Sequence, residues 1–217
     1  AGGEALVPGC VGVSHVPGRL DGWCGCDGPS VGQVAVQVRK PLAVVDFAHT
    51  PDAVAAALKA LRHNTSGSLV VVLGAGGDRD SGKREAMGAA AAHYADRVVV
   101  TDDNPRSEDP ATIRAAVLRG ALEQDRSAQQ SPGRIIEIGD RGAAIRAAVA
   151  QSRQGDTVVV LGKGHETGQE IAGVVHPFDD RAELRAALVE HAAQADHGVG
   201  HDGVGHATVD VTDGEAR

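Results

Sequence analysis

The segment Thr101-Asp102-Asp103-Asn104-Pro105-Arg106 places two carboxylates, an amide and a guanidinium side by side. Such a concentration of polar groups looks like a site rather than a solvated turn. Arg106 offers a planar fork that clamps a carboxylate through two parallel hydrogen bonds. Pro105 fixes one φ angle and biases Asn104 toward extended geometry, which stiffens the loop. The bland alternative for the same residues is an Asx-type turn that carries a surface arginine.

Three further stretches carry groups of this kind. Asp46-Phe47-Ala48-His49-Thr50-Pro51-Asp52 offers a carboxylate for ribose hydroxyls and an imidazole for a phosphate or metal-bound oxygen. Equally, Thr50 can cap a helix while Asp46 makes local turn bonds. Gly74-Ala75-Gly76-Gly77-Asp78-Arg79-Asp80-Ser81-Gly82-Lys83-Arg84 is glycine-rich, so its backbone can approach a ligand closely. From Gly77 it nearly matches the phosphate-cradling pattern G-x-x-x-x-G-K-[ST]. Arg84 stands where the magnesium-binding hydroxyl belongs, and Asp78 and Asp80 would repel phosphate, so a P-loop is rejected. Arg79 between two acids suits a zwitterion better. Gly162-Lys163-Gly164-His165-Glu166-Thr167 adds a carboxylate, Glu166, for an ammonium group. Arg79, Asn104, Arg106 and Glu166 together could surround an amino acid that has more than one carboxylate. No Ser-His-Asp triad, glycosidase carboxylate pair or structural zinc site is recognisable, and no catalytic residue or metal ligand is nominated.

All four stretches follow short apolar runs. Leu42–Val45, Leu69–Leu73, Val98–Val100, Ile135–Ile138 and Thr157–Leu161 are nearly continuous in Val, Ile and Leu, as strands buried on both faces are. Helix-like segments alternate with them at Pro51–His63, Lys83–Ala95, Pro110–Leu122, Arg141–Ser152 and Arg181–Ala193. Thr50-Pro51 and Asp109-Pro110 are cap-then-proline helix starts. The alternation predicts an α/β, Rossmann-like, doubly wound and mostly parallel sheet of about six strands with helices on both faces. Glu170–Val175 is the expected sixth strand, an antiparallel edge. In such sheets ligands bind beyond the carboxyl ends of the strands, where these polar stretches fall.

The composition fits a domain with an aliphatic core. Among 217 residues, 42% are hydrophobic and only 2% aromatic. A formal net charge of −8 argues against nucleic acid or an anionic membrane as partner. No apolar run approaches the roughly 18 residues of a membrane span, and residues 1–12 lack a signal-peptide pattern. A cytoplasmic location is expected. Cys10, Cys24 and Cys26 are read as free thiols.

With these motifs in this order, the sequence resembles the C-terminal domain of the Mur ligases, ATP-dependent enzymes that add amino acids to the peptidoglycan precursor. D-F-A-H-T-P-D, G-A-G-G-D-R-D-S-G-K-R, T-D-D-N-P-R and G-K-G-H-E are similar to the diaminopimelate-adding branch, over about residues 17–190. D-N-P-R is the most specific element, since lysine-adding relatives usually lack its arginine. The resemblance implies that Arg79, Asp103, Asn104, Pro105, Arg106, Gly162 and Glu166 bind the amino acid, meso-diaminopimelate. It implies that Arg19, Asp46 and His49 lie on the ATP side. ATP, Mg2+ and the UDP-N-acetylmuramoyl (UDP-MurNAc) dipeptide are implied to bind mainly through upstream domains. An arginine clamp on the distal carboxylate would reject lysine by as much as about 10⁴-fold in a buried site.

Ala1 is not a start methionine, and the chain is expected to be a piece of something longer. Residues 1–39 are expected to be the end of a preceding ATPase domain and a linker with a Gly/Cys-rich insert at Gly22–Gly32. Residues 40–193 are the expected amino-acid-binding domain, and 194–217 a disordered His/Gly-rich tail. The competing readings are a folylpolyglutamate synthase-like ligase domain and a standalone amino-acid-binding module without catalysis.

Overall fold

The computed structural model describes residues 10–12, 41–78, 80–125 and 133–197. Its main sheet has six strands: β1 (Cys10–Gly12), β2 (Leu42–Asp46), β3 (Leu69–Leu73), β4 (Arg97–Val100), β5 (Ile135–Glu137) and β6 (Thr157–Leu161). Their order is β1-β2-β6-β3-β4-β5, with β1 antiparallel to β2 and the rest parallel. The helices are α1 (Pro51–Arg62), α2 (Lys83–Tyr94), α3 (Pro110–Gln124), α4 (Arg141–Ala150) and α5 (Asp180–His197).

Val-rich β3 and β6 are buried at every position because each has a parallel neighbour on both sides and helices on both faces. Val54, Leu58, Met87, Ile113 and Val117 from α1–α3 pack on one face, against Val71, Leu73, Val98 and Leu161. Ile145, Val149, Leu184 and Leu188 from α4 and α5 pack on the other, against Val70, Val72, Val99 and Val160. Winding thus reverses between β5 and β6, and β6 inserts between β2 and β3. That reversal gathers the ends of β2, β3, β4 and β6 around one crevice.

The starts of α1 and α3 agree with their sequence signals, and α4 is capped likewise. Thr50 accepts from the Ala53 amide at 3.3 Å with Pro51 in the first turn. Asp109 accepts from the Ala111 and Thr112 amides ahead of α3, and Asp140 from the Ala143 amide ahead of α4.

One expectation changes. Glu170–Val175 is not a sixth strand of the sheet. It is the centre of a separate hairpin, β7 (Gly168–Ile171) and β8 (Val174–Pro177). The chain reverses at Ala172 and Gly173, whose φ values of 50° and 76° suit a tight two-residue turn. The antiparallel edge of the main sheet comes instead from Cys10–Gly12. Helix α5 continues past Ala193 to His197. Cys24, Cys26, the Gly22–Gly32 insert and the tail beyond His197 lie outside the described residues.

Candidate functional site

The loops after β3 and β4 are joined at several points. The Gly77 amide donates to the Asn104 carbonyl at 2.8 Å. A Cβ on Gly77 would lie 1.9 Å from the Pro105 carbonyl oxygen, so only glycine permits this approach. Behind it, buried Arg84 forks onto both oxygens of Glu108 at 2.8 and 2.7 Å and donates to the Gly76 carbonyl. This hydrogen-bonded pair holds the Glu108 carboxyl down at about 2. Arg84 is thus committed to joining the loops.

The loop after β6 meets them from the other side. Gly162 has φ 119°, and a Cβ there would lie 2.7 Å from Asp103 Oδ2. Lys163 follows, fully buried, and its ammonium donates to Asn104 Oδ1 at 2.9 Å. The Glu170 amide donates to the same oxygen at 3.0 Å. Two donors on Oδ1 fix the amide orientation, so Asn104 Nδ2 must face away, and it donates to Glu166 Oε2 at 2.8 Å. Lys163 Nζ also stands 3.4 Å from Glu166 Oε2. Among the described residues Glu166 Oε1 makes no hydrogen bond.

Asp103 is the buried acid of the lining. Its carboxylate is buried, its Oδ1 has no hydrogen-bond partner, and Lys163 Nζ is 3.6 Å away. Burial pushes its carboxyl above the usual range, against the opposing charges of Arg141 and Lys163. Arg106 also lines the cavity. Its Nη1 donates to the Gly77 carbonyl at 2.6 Å and its Nε lies 3.5 Å from Glu170 Oε2. Nη2 makes no hydrogen bond among the described residues.

Asp103, Asn104, Arg106, Gly162 and Glu166 line one cavity of about 230 Å³, together with Phe47, His49, Ala75, Gly76, Lys83 and Met87. That is below the roughly 300–1,000 Å³ of drug-sized pockets and suits a compact ligand. The lining presents a guanidinium and carboxyl groups to the same cavity, so it can hold a zwitterion with both charges answered. Pro105 is buried behind the lining and shapes the loop without facing the cavity. Asp46 accepts from the Ala48 amide at 2.8 Å at the end of β2 and is not part of the lining. His49 is at the rim, its Nδ1 2.8 Å from the Phe47 carbonyl. Arg79 and Arg19 lie outside the described residues.

Sequence reasoning missed Lys163 and the Arg141–Asp180 pair. The Lys163 signal was there, since a lysine between two glycines in G-K-G-H-E follows a strand directly. Arg141 left no local sign. It forks onto Asp180 at 2.7 and 2.8 Å and donates to the carbonyls of Asp102 and Leu161, the residues that lead into the two site loops. Among the described residues no group of three His, Cys, Asp or Glu could hold a metal, and no helix is long and apolar enough to cross a membrane.

The chain was compared with known proteins. Residues 33–164 match the family model described as Mur ligase, glutamate ligase domain. The UDP-N-acetylmuramoyl-L-alanyl-D-glutamate–2,6-diaminopimelate ligase of Corynebacterium glutamicum is 61% identical over 149 residues, covering 69% of this chain and 29% of the relative. The enzyme of the same name from Streptomyces avermitilis is 52% identical over 186 residues, or 85% of this chain and 34% of the relative. A solved structure bearing that enzyme name aligns with a TM-score of 0.61 and 46% identity over 73% of this chain and 30% of its own. The chain therefore spans about a third of the length of these relatives. On the extent of these matches, and on the doubly wound sheet that carries them, the chain belongs to the Mur ligase family.

Proposed function

We propose that this chain is the acceptor-amino-acid-binding part of an ATP-dependent ligase that joins meso-diaminopimelate to a UDP-MurNAc dipeptide. The observation that carries this is a single cavity whose lining brings together the Arg106 guanidinium and the Asp103 and Glu166 carboxyl groups. Arg106 Nη2 takes the distal carboxylate, and Glu166 Oε1 takes an ammonium group. Asn104, held by Lys163, keeps Glu166 in place. The second amine of the bound amino acid then attacks an activated carboxyl of the dipeptide, an amide bond forms and the activating group leaves. At the P-loop-like stretch Arg84 is committed to Glu108, so the described residues there offer the ATP phosphates and Mg2+ no cradle. Asp46 and His49, at the carboxyl end of β2, are the candidate nucleotide contacts.

Selection against lysine rests on Arg106. A charge-assisted hydrogen bond contributes about 1.5–3 kcal/mol, or roughly ten- to a hundredfold in affinity. Full burial would raise this toward the limit stated above, but the Arg106 side chain is 24% exposed, so water tempers the cost of leaving it unpaired. Calorimetric titration of the chain with meso-diaminopimelate, L-lysine and L-glutamate tests the reading. Diaminopimelate is expected to bind at least about tenfold more tightly than lysine, and Arg106→Ala to abolish that margin. Equal affinity for all three ligands would refute it.

A further inference from the structure

The D-N-P-R arginine is held by the β7–β8 hairpin. The Arg106 amide donates to the Glu170 carbonyl at 2.9 Å, and the Ala172 amide donates to the Arg106 carbonyl at 2.7 Å. Arg106 therefore pairs with the hairpin as an added strand residue would, with φ at 54°, a left-handed conformation rare for arginine. This pairing fixes which side chain stands beside the guanidinium. It is Glu170, whose Oε2 lies 3.5 Å from Nε.

Three features distinguish this pair from a structural ion pair. At 3.5 Å the contact is too long for a good charge-assisted hydrogen bond. The Glu170 side chain is 40% exposed, so it can swing into water at little cost. And Glu170 does not line the cavity, whereas Arg106 does. Of the pair, only Arg106 touches a ligand held there.

We propose that Glu170 is a specificity-determining residue, a tethered counter-ion that sets how strongly Arg106 discriminates between ligands with and without a distal carboxylate. The inference rests on the reading of the cavity given above. A ligand carboxylate on Arg106 has to share the guanidinium with Glu170 or displace it. A ligand that lacks the carboxylate leaves the Arg106–Glu170 pair intact, so the arginine is never fully unanswered. Glu170 thus weakens the wanted ligand and softens the rejection of the unwanted one. The sign is the same whether the ligand approaches the Nη1/Nη2 edge or the Nε/Nη2 edge, because both compete with the same negative charge.

The test compares the wild-type chain with Glu170→Gln, which keeps size and hydrogen-bonding capacity and removes the charge. Calorimetry with meso-diaminopimelate and with L-lysine is expected to show the first tightening by about threefold and the margin over lysine widening, the scale of a partly exposed ion pair. The Arg106 Nε–H resonance, assigned by its loss in Arg106→Lys, is expected to shift in the ligand-free variant. If Glu170 only orients Arg106, Glu170→Gln will weaken diaminopimelate and shrink the margin, which overturns the proposal. Unchanged affinities with a wild type that still prefers diaminopimelate overturn it too, while leaving the reading of the cavity standing. A wild type that prefers neither ligand refutes that reading and this inference together.

Discussion

Among the described residues two cationic side chains lie fully buried beyond the strand ends, and the protein serves them differently. Every nitrogen of the Arg141 guanidinium has a partner, through two short bonds to buried Asp180 and one each to the Asp102 and Leu161 carbonyls. Lys163 has one good hydrogen bond, to Asn104, and two looser carboxylates at 3.4 and 3.6 Å. Beside it Asp103 keeps an oxygen without a hydrogen bond. Buried polar groups are normally satisfied, and the exceptions call for a reason. The closed cluster reads as scaffold, aligning the loops after β4 and β6. The open cluster faces the cavity and reads as a place where a ligand completes the bonding.

The largest effect is expected at the closed cluster. Arg141→Met leaves Asp180 buried without a partner and should lower stability by about 3–5 kcal/mol. Urea denaturation would measure it. Pairing it with Asp180→Leu should recover most of the loss, because replacing a whole buried pair by apolar groups is often near neutral. A single variant of nearly wild-type stability would break the contrast.

Lys163→Met should behave differently. No bidentate bond is lost, and Asp103 can take up a proton, so the expected stability cost is nearer about 1–2 kcal/mol. Diaminopimelate affinity should fall by about tenfold, since the Asn104 amide and Glu166 lose the cation that orients them. A stability loss as large as that of Arg141→Met, with binding unchanged, would mean that both lysine and arginine are scaffold.

How much of this was legible in the sequence follows the range of the forces involved. Leu69–Leu73 and Thr157–Leu161 were readable to the residue, because strands buried on both faces need unbroken apolar runs and end where polar loops begin. The polar residues at those ends were readable for the same reason. The hairpin was not, because its turn places Ala172 at positive φ, and alanine is no turn signal. Arg141 and Asp180 are 39 residues apart, and nothing local marks either as buried. Their pairing exists only once α4 and α5 pack on the same face.

The smallest expected effect gives the sharpest test of the open cluster, because its sign is fixed. Burial raises the Asp103 carboxyl above its ordinary 3.8, and the charges of Arg141 and Lys163 only partly oppose it. The folded chain therefore holds that proton more readily than the unfolded chain. The stabilising contribution is fully present below the ordinary value and is lost as pH rises through the folded pKa. Asp103→Asn has no proton to lose there, so its stability relative to wild type should rise with pH above about 4 and level off beyond the folded pKa. Glu108 provides the opposite case. Its carboxyl is held down at about 2 by Arg84, so its contribution is present above the ordinary 4.5 and lost as pH falls through about 2. Urea midpoints of Asp103→Asn and Glu108→Gln against wild type should thus diverge in opposite senses, one toward neutral pH and the other toward acid. Parallel behaviour of the two variants would mean that Asp103 is an ordinary paired carboxylate and that the cluster around Lys163 is closed after all.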